Sequence, residues 1–354
     1  MRDLPIDTDY LRDLLLRLLA IPSPAGFTDA AVQFLRTELT GLGIGYELTR
    51  RGAIRANLPG RRYSPDRAVV AHVDTLGAQV KRLQENGRLE LVPIGHWSAR
   101  FAEGARCTLM TETGRIRGTI LPLKSSGHTF NEEVDTQPVG WRYVELRLDE
   151  RCANAADLMA LGIHVGDPVA IDPQPEVTES GYIVSRHLDD KAGVATLLAA
   201  AKAVLDAGVE LPVDCHLLVT ISEEVGSGAS TGLHQDVAEM VTIDNGTPAP
   251  GQNSSEFGVT IAMADMTGPF DMRLTRSLIG LCREFGLPHQ RDIFRYYRCD
   301  SAAAIEAGND IRTALLCFGV DASHGYERTH LSALADLARL VALYMQSPPT
   351  DDRY

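Results

Sequence analysis

Glu223 and Glu224 stand side by side where an apolar run, CHLLVTIS, gives way to the glycine-bearing turn EEVGSG. Two like charges at the end of a buried strand repel each other and resist desolvation, so a neutralising partner is expected. Fragments with the same texture recur along the chain: AHVD with His72 and Asp74, HLDDKAG with Asp189 and Asp190, TIDNG with Asp244, and ASHGYERTH with His324 and His330. Each polar cluster follows an apolar run and precedes a glycine or a loop. Imidazoles and carboxylates gathered in this way suit borderline divalent cations, zinc first, with cobalt or manganese as alternatives. Two such cations would neutralise the paired glutamates.

Taken singly, every fragment has a plainer explanation. His72 and Asp74 lie two apart on a strand, point to one side and could simply hydrogen-bond at a sheet edge. Asp189 and Asp190 precede a helix and could cap it. Asp244 with Asn245 and Gly246 reads as a turn, and His324 sits in a loop where an exposed histidine is ordinary. Five such clusters at five strand ends are poorly explained as five independent accidents.

The elements that would position these residues alternate between helix and strand at both ends of the chain. Residues 8–20 and 28–40 read as amphipathic helices separated by the breaker IPSPAGF, the second stopped by Gly41 and Gly43. RAVVAHVD, CHLLVTIS, EMVTID and TALLCFGV read as buried strands, and DKAGVATLLAAAKAVLDAG as a long helix with Gly208 at its C-terminal cap. Residues 272–287 and 330–345 read as further helices. Between 79 and 175 the texture changes to short alternating stretches such as RLELVPI, CTLMTETG and RIRGTILPL, with no convincing helix before NAADLMALG. The chain thus divides into an α/β host, 1–78 and 176–354, and an inserted β-rich domain, 79–175. In open α/β sheets the carboxyl ends of strands face one crevice, so residues distant in sequence can meet there.

Composition narrows the function. A formal net charge of -13 over 354 residues, with no dense cluster of Lys and Arg, argues against nucleic-acid or anionic-membrane partners and favours small-molecule or peptide chemistry. The six cysteines are scattered singly without a CxxC pair, which suits free thiols in a reducing compartment. MRDLPIDTDYLRDLLLRLLA lacks the apolar block of a signal peptide, and no apolar run is long enough to span a bilayer. The expected location is the cytoplasm.

The order AHVD, LDDKAG, EEVGSG, TIDNG and a late SHGYE resembles that of the di-zinc aminopeptidases of metallopeptidase family forty-two, which includes tetrahedral and glutamyl aminopeptidases. The likeness runs from IPSPAG almost to the end, and in detail is closest to the branch associated with the osmoprotectant N-acetylglutaminylglutamine amide. It implies a phosphorylase-like three-layer α/β/α sandwich with an inserted small β-barrel domain. It also implies two divalent metal ions per subunit, with Asp189 bridging them, His72 and Asp244 completing one, and Glu224 and His324 the other. Glu223 would be the general base, and Asp74 would orient the His72 imidazole through its second nitrogen. A cis peptide is implied between Asp189 and Asp190. The implied substrate is a short peptide, the implied assembly a homo-oligomer from dimer to dodecamer with the inserted block at subunit contacts, where Trp97, Phe101, Trp141 and Tyr143 either serve those contacts or fill the small domain's own core.

Two residues depart from the family pattern. His324 is followed by Gly325, Tyr326 and Glu327 where relatives carry a His-Ser-Pro type sequence, which leaves His330 as a weaker rival ligand, and Lys191 stands where arginine is common. The favoured reading is a metal-dependent exopeptidase. The alternatives are a deacylase or amidase acting on a modified dipeptide with the same metal site, and a non-catalytic relative serving as a scaffold.

Overall fold

In the computed structural model, which describes residues 1–350, strands β1 (Gly45–Leu48), β2 (Ile54–Leu58) and β3 (Gly60–His72) open a nine-stranded mixed sheet. The chain then leaves the sheet for a closed barrel of β4 (Gly77–Leu83), β5 (Leu89–Ile94), β6 (Arg106–Thr111), β7 (Gly114–Pro122), β8 (Val144–Leu148) and β9 (Pro168–Ile171). Its strands pair antiparallel in the order β4-β5-β8-β7-β6-β9. Strands β10 (Glu176–Val177) and β11 (Tyr182–Ser185) lead into the helix Leu188–Asp206. The large sheet resumes with β12 (Leu211–Thr220), β13 (Val237–Gly246), β14 (Val259–Asp265), β15 (Gly268–Pro269), β16 (His289–Ile293) and β17 (Arg312–Gly319). Last, β18 (Glu327–His330) joins β10 and β11 in a three-stranded sheet.

The large sheet runs β1-β2-β12-β3-β13-β17-β14-β15, and its four central strands, β12, β3, β13 and β17, are mutually parallel. Parallel strands buried on both faces read as continuous apolar runs, and these do. Val69 and Ala71 of β3 pack with Leu217, Val219, Val241 and Ile243 into one core, whereas the alternate Ala68 and Val70 pack with Leu218 and Met240 into another. Helices Thr8–Leu19, Leu188–Asp206, Met272–Glu284 and Leu331–Gln346 cover the first face, and Asp300–Glu306 lies on the second. The helix Leu188–Asp206 is buried almost all round because it lies between the sheet and the helices Thr8–Leu19 and Leu331–Gln346, and its alanines allow that close approach. Arg67, fully buried on β3, fastens the last helix: its guanidinium pairs with Glu239 at 3.1 Å, donates to the Ser347 carbonyl at 2.9 Å and lies 4.5 Å from the Tyr344 ring centre.

Several elements differ from the expected ones. β3 begins at Gly60, well before RAVVAHVD, and stops at His72, so Asp74 lies past the strand end. The helix expected over 272–287 ends at Glu284, whereas NAADLMALG does carry a short helix, Ala155–Ala160, capped by Asn154. The Asp189–Asp190 peptide is cis, as expected. Trp97 and Trp141 face each other edge-on at 4.8 Å and pack on the barrel's own core, their indole nitrogens donating to the carbonyls of Gly77 and Trp97. Those two rings are therefore spent on internal packing; Phe101 stays 40% exposed, and Tyr143 lies under the Arg142 guanidinium. All six cysteines are free thiols, and no helix among the described residues is long and apolar enough to cross a membrane.

Candidate metal centre

Parallel strands in register bring the polar clusters to one edge. His72, the last residue of β3, is level with Thr220, the last of β12, from which the chain enters the turn carrying Glu223 and Glu224. Asp244 lies near the end of β13 beside Cys317 of β17, whose exit loop carries His324. Asp189 comes to the same place from the start of the helix Leu188–Asp206.

One donor atom each from His72, Glu223 and Asp244 falls within 4.8 Å of the other two, and Asp189, Glu224 and His324 form a second such group. Asp189 spans the two groups. Its Oδ1 lies 3.1 Å from His72 Nε2 and its Oδ2 3.3 Å from His324 Nε2. Glu223 is 3.8 Å from His72 Nε2, and Glu224 3.7 Å from His324 Nε2. Both imidazoles are aimed from behind: His72 Nδ1 lies 2.9 Å from the Asp74 carbonyl and His324 Nδ1 2.9 Å from the His96 carbonyl. Donation from Nδ1 to those carbonyls turns Nε2 toward the shared space.

A further set of buried carboxylates holds the backbone of these loops. Asp74 accepts the N–H groups of both Glu223 and Glu224, at 3.1 and 3.2 Å. Its carboxylate was expected to orient His72; it stands 3.6 Å from Nδ1, while its backbone carbonyl takes the closer contact. Asp190 accepts the N–H of His72 at 3.0 Å. Glu327 accepts the N–H of Asp189 at 3.2 Å and of His324 at 2.9 Å. Asp300 accepts the Thr220 hydroxyl and the Ala229 N–H, both at 2.6 Å, so it grips the two ends of the turn that carries the glutamates. Asn245 donates to Asp189 Oδ2 at 2.7 Å. Gly193 and Gly228 are glycines because a Cβ on either would run into the carboxylates of Asp190 and Asp300. Ala322 and His324 have φ of 58° and 65°, a left-handed backbone uncommon outside glycine that turns the last loop into the site.

The sequence reading missed the roles of Glu327, Asp300, Asn245 and His96. Only Glu327, three residues past His324, and Asp300, at the start of a small-residue helix, left any signal. His330 is not brought to the group: its ring nitrogens contact the Ser332 hydroxyl at 2.7 Å and the Ser180 carbonyl at 2.9 Å.

Charge is badly out of balance at this point. Burial, followed by the nearby Asp189, pushes the Glu224 carboxyl well up and that of Asp244 to about 7. Burial also raises Glu223 well above the carboxylate range, partly opposed by His72. Burial would raise Asp189 too, but the hydrogen bonds from His324 and His72 outweigh it and hold the carboxyl low. Both histidines are pushed the other way: burial disfavours their charged forms, yet the surrounding carboxylates lift His72 well above its ordinary value and His324 to about 10. Glu224 Oε1 is buried without a hydrogen-bond partner. Crowded carboxylates, an orphaned oxygen and two imidazoles aimed by carbonyls fit divalent metal binding.

A cleft of about 590 Å³ opens over these residues, and Gln252 and the segment Phe294–Arg298 also line it. Trp97 and Leu76 approach Glu224 and His324 from the barrel side.

A family model described as M42 glutamyl aminopeptidase matches residues 52–340. A putative aminopeptidase of Bacillus subtilis, YhfE, is 38% identical over 337 residues, spanning 95% of this chain and 97% of that protein. The glutamyl aminopeptidase of Lactococcus lactis is 26% identical over 222 residues, 61% of this chain and 60% of that one. Among solved structures, a TET aminopeptidase from a marine sediment thaumarchaeon superposes with a TM-score of 0.86 at 17% identity, covering 95% of this chain and 96% of the other. The Pyrococcus horikoshii TET1 peptidase, described as assembling into a tetrahedron or a large octahedral shell, gives 0.82 at 20% identity over 96% and 100%.

Proposed function

The chain belongs to the M42 glutamyl aminopeptidase family, and from that membership we propose that it removes N-terminal residues from short peptides with the help of two divalent metal ions, zinc in the first instance. The observation that carries this reading is Asp189, which offers one carboxylate oxygen to the side of His72 and the other to the side of His324. His72 and Asp244 would hold one ion and Glu224 and His324 the other, with Asp189 shared. Bound there, the ions would supply Lewis acidity toward the scissile carbonyl and lower the pKa of water.

The rest of the chemistry belongs to the chain. Glu223 borders the cleft beside the ligand set, where a carboxylate not spent on a metal can exchange protons with water. It takes a proton from the attacking water and delivers it to the nitrogen of the departing peptide. Asp74, by gripping the N–H groups of Glu223 and Glu224 together, keeps base and ligand in fixed relation. The assembly follows as part of the same reading: a homo-oligomer, with residues 79–175 as an inserted unit.

Glu223→Gln is the test. Turnover on short free peptides falls by about two to four orders of magnitude while the metal content, measured by elemental analysis, stays near that of the unmodified protein. Asp189→Ala instead loses metal. A Glu223→Gln protein that kept most of its activity would remove Glu223 from the mechanism. Running the same assay on N-acetylated peptides distinguishes an exopeptidase, which needs a free amine, from a deacylase.

A further inference from the structure

The cleft over the candidate metal centre lies beside a second hollow of about 610 Å³, and Pro250, Gln252 and Arg295 line both. Three arginines occur on this wall, at 291, 295 and 298. Arg298 is neutralised by Glu306 at 2.7 Å. Arg295 is not: it is exposed, and no carboxylate or other acceptor among the described residues takes its N–H groups. Asp292, the nearest acid in sequence, is occupied at both oxygens: Oδ2 accepts from Gln252, from the N–H groups of Asn253 and Ser254 and from the Ser254 hydroxyl, at 2.8 to 3.2 Å, and Oδ1 accepts the Ile293 N–H at 2.9 Å. In a chain of net charge -13 an arginine without an acid partner at the junction of two cavities is out of keeping with its surroundings.

We propose that Arg295 receives the free C-terminal carboxylate of the substrate, so that the preferred substrates are short peptides with an unblocked C-terminus. This rests on the aminopeptidase reading. If the scissile N-terminal residue lies against Asp189, Glu223 and Glu224, the remainder of the peptide extends along the cleft those residues share with Arg295. A cleft of this size takes a ligand of roughly drug dimensions, which is a few residues and not a folded chain. Guanidinium is the side chain best matched to a carboxylate, through paired N–H donors. The arginine then fixes the direction of the peptide: free amine at the ligand set, anionic terminus at the arginine. The bland alternative is a solvated surface arginine with no ligand.

The experiment compares one tripeptide as free acid and as C-terminal amide. With the metal-loaded protein the free acid is preferred in kcat/KM by about tenfold to a hundredfold, the range of a charge-assisted hydrogen bond, and the difference lies in KM. In Arg295→Met, which keeps much of the side-chain bulk, the preference falls to near unity. Calorimetric titration of Glu223→Gln protein with the same two peptides shows the same preference without turnover, and the Glu223→Gln, Arg295→Met double variant loses it. Equal handling of acid and amide by the unmodified protein, or a preference that survives Arg295→Met, overturns the proposal. Failure to cleave either peptide sinks the aminopeptidase reading itself, and the calorimetric preference then decides the role of Arg295 on its own.

Discussion

At the scale of single residues, the unusual feature is the number of acids that cannot all be ionised together. Burial first, and Asp189 next, lifts Asp244 to about 7 and Glu327 to about 8, and burial lifts Asp300 to about 6. Each lies above its value in an unfolded chain, so between about pH 4 and 8 the metal-free native state binds more protons than the unfolded state and loses stability as pH rises. His324, lifted to about 10, adds a loss of the same sign above its ordinary value. Asp189, held below its ordinary value, opposes this only at the acid edge of the window and contributes no slope from about pH 5 upward, where it is ionised in both states. The melting temperature of chelator-treated protein therefore falls from pH 5 to pH 8, and the increase on adding zinc grows over the same interval because the ligands must be deprotonated to bind it. Scanning calorimetry at four or five pH values checks this. A metal-free melting temperature that rose with pH would contradict the charge arrangement.

At the scale of elements, the site depends on glycines that let carboxylates reach across. Gly193, in the first turn of the helix Leu188–Asp206, leaves the space in which the Asp190 carboxylate turns to accept the N–H of His72. Gly193→Ala displaces that carboxylate and loosens the end of β3, and we expect metal affinity or activity to fall about tenfold to a hundredfold, with circular dichroism unchanged. Loss of the fold would show that the residue serves packing alone. Much of this framework is legible in the sequence. Apolar runs ending in acids mark the parallel strands, and Gly208 does close the long helix, with φ of 58°. What is not legible is the second rank of acids. Asp300 and Glu327 owe their function to the Thr220 hydroxyl and to the N–H groups of Ala229, Asp189 and His324, and of these donors only His324 is near its acceptor in sequence. Strands β14 and β16 escaped for a related reason: their pairing, with each other and of β14 with β17, is long-range.

At the scale of the whole molecule, the barrel is a wall of the site as well as a candidate assembly element. Light scattering on the purified protein tests assembly: we expect a mass several times that of one chain. A monomer that still cleaves tripeptides would separate catalysis from oligomerisation, and the barrel's remaining exposed ring, Phe101, would then lose its expected place at a contact. The chain has only two tryptophans, Trp97 and Trp141, and both sit at this junction, edge to edge, with Trp97 bordering Glu224 and His324. All of the protein's indole emission thus originates within reach of the candidate centre. Metal loading or peptide entry should shift its intensity and wavelength with no dye attached, and a quenching ion such as cobalt should dim it more than zinc does. The enzyme carries its own optical gauge of whether its site is filled.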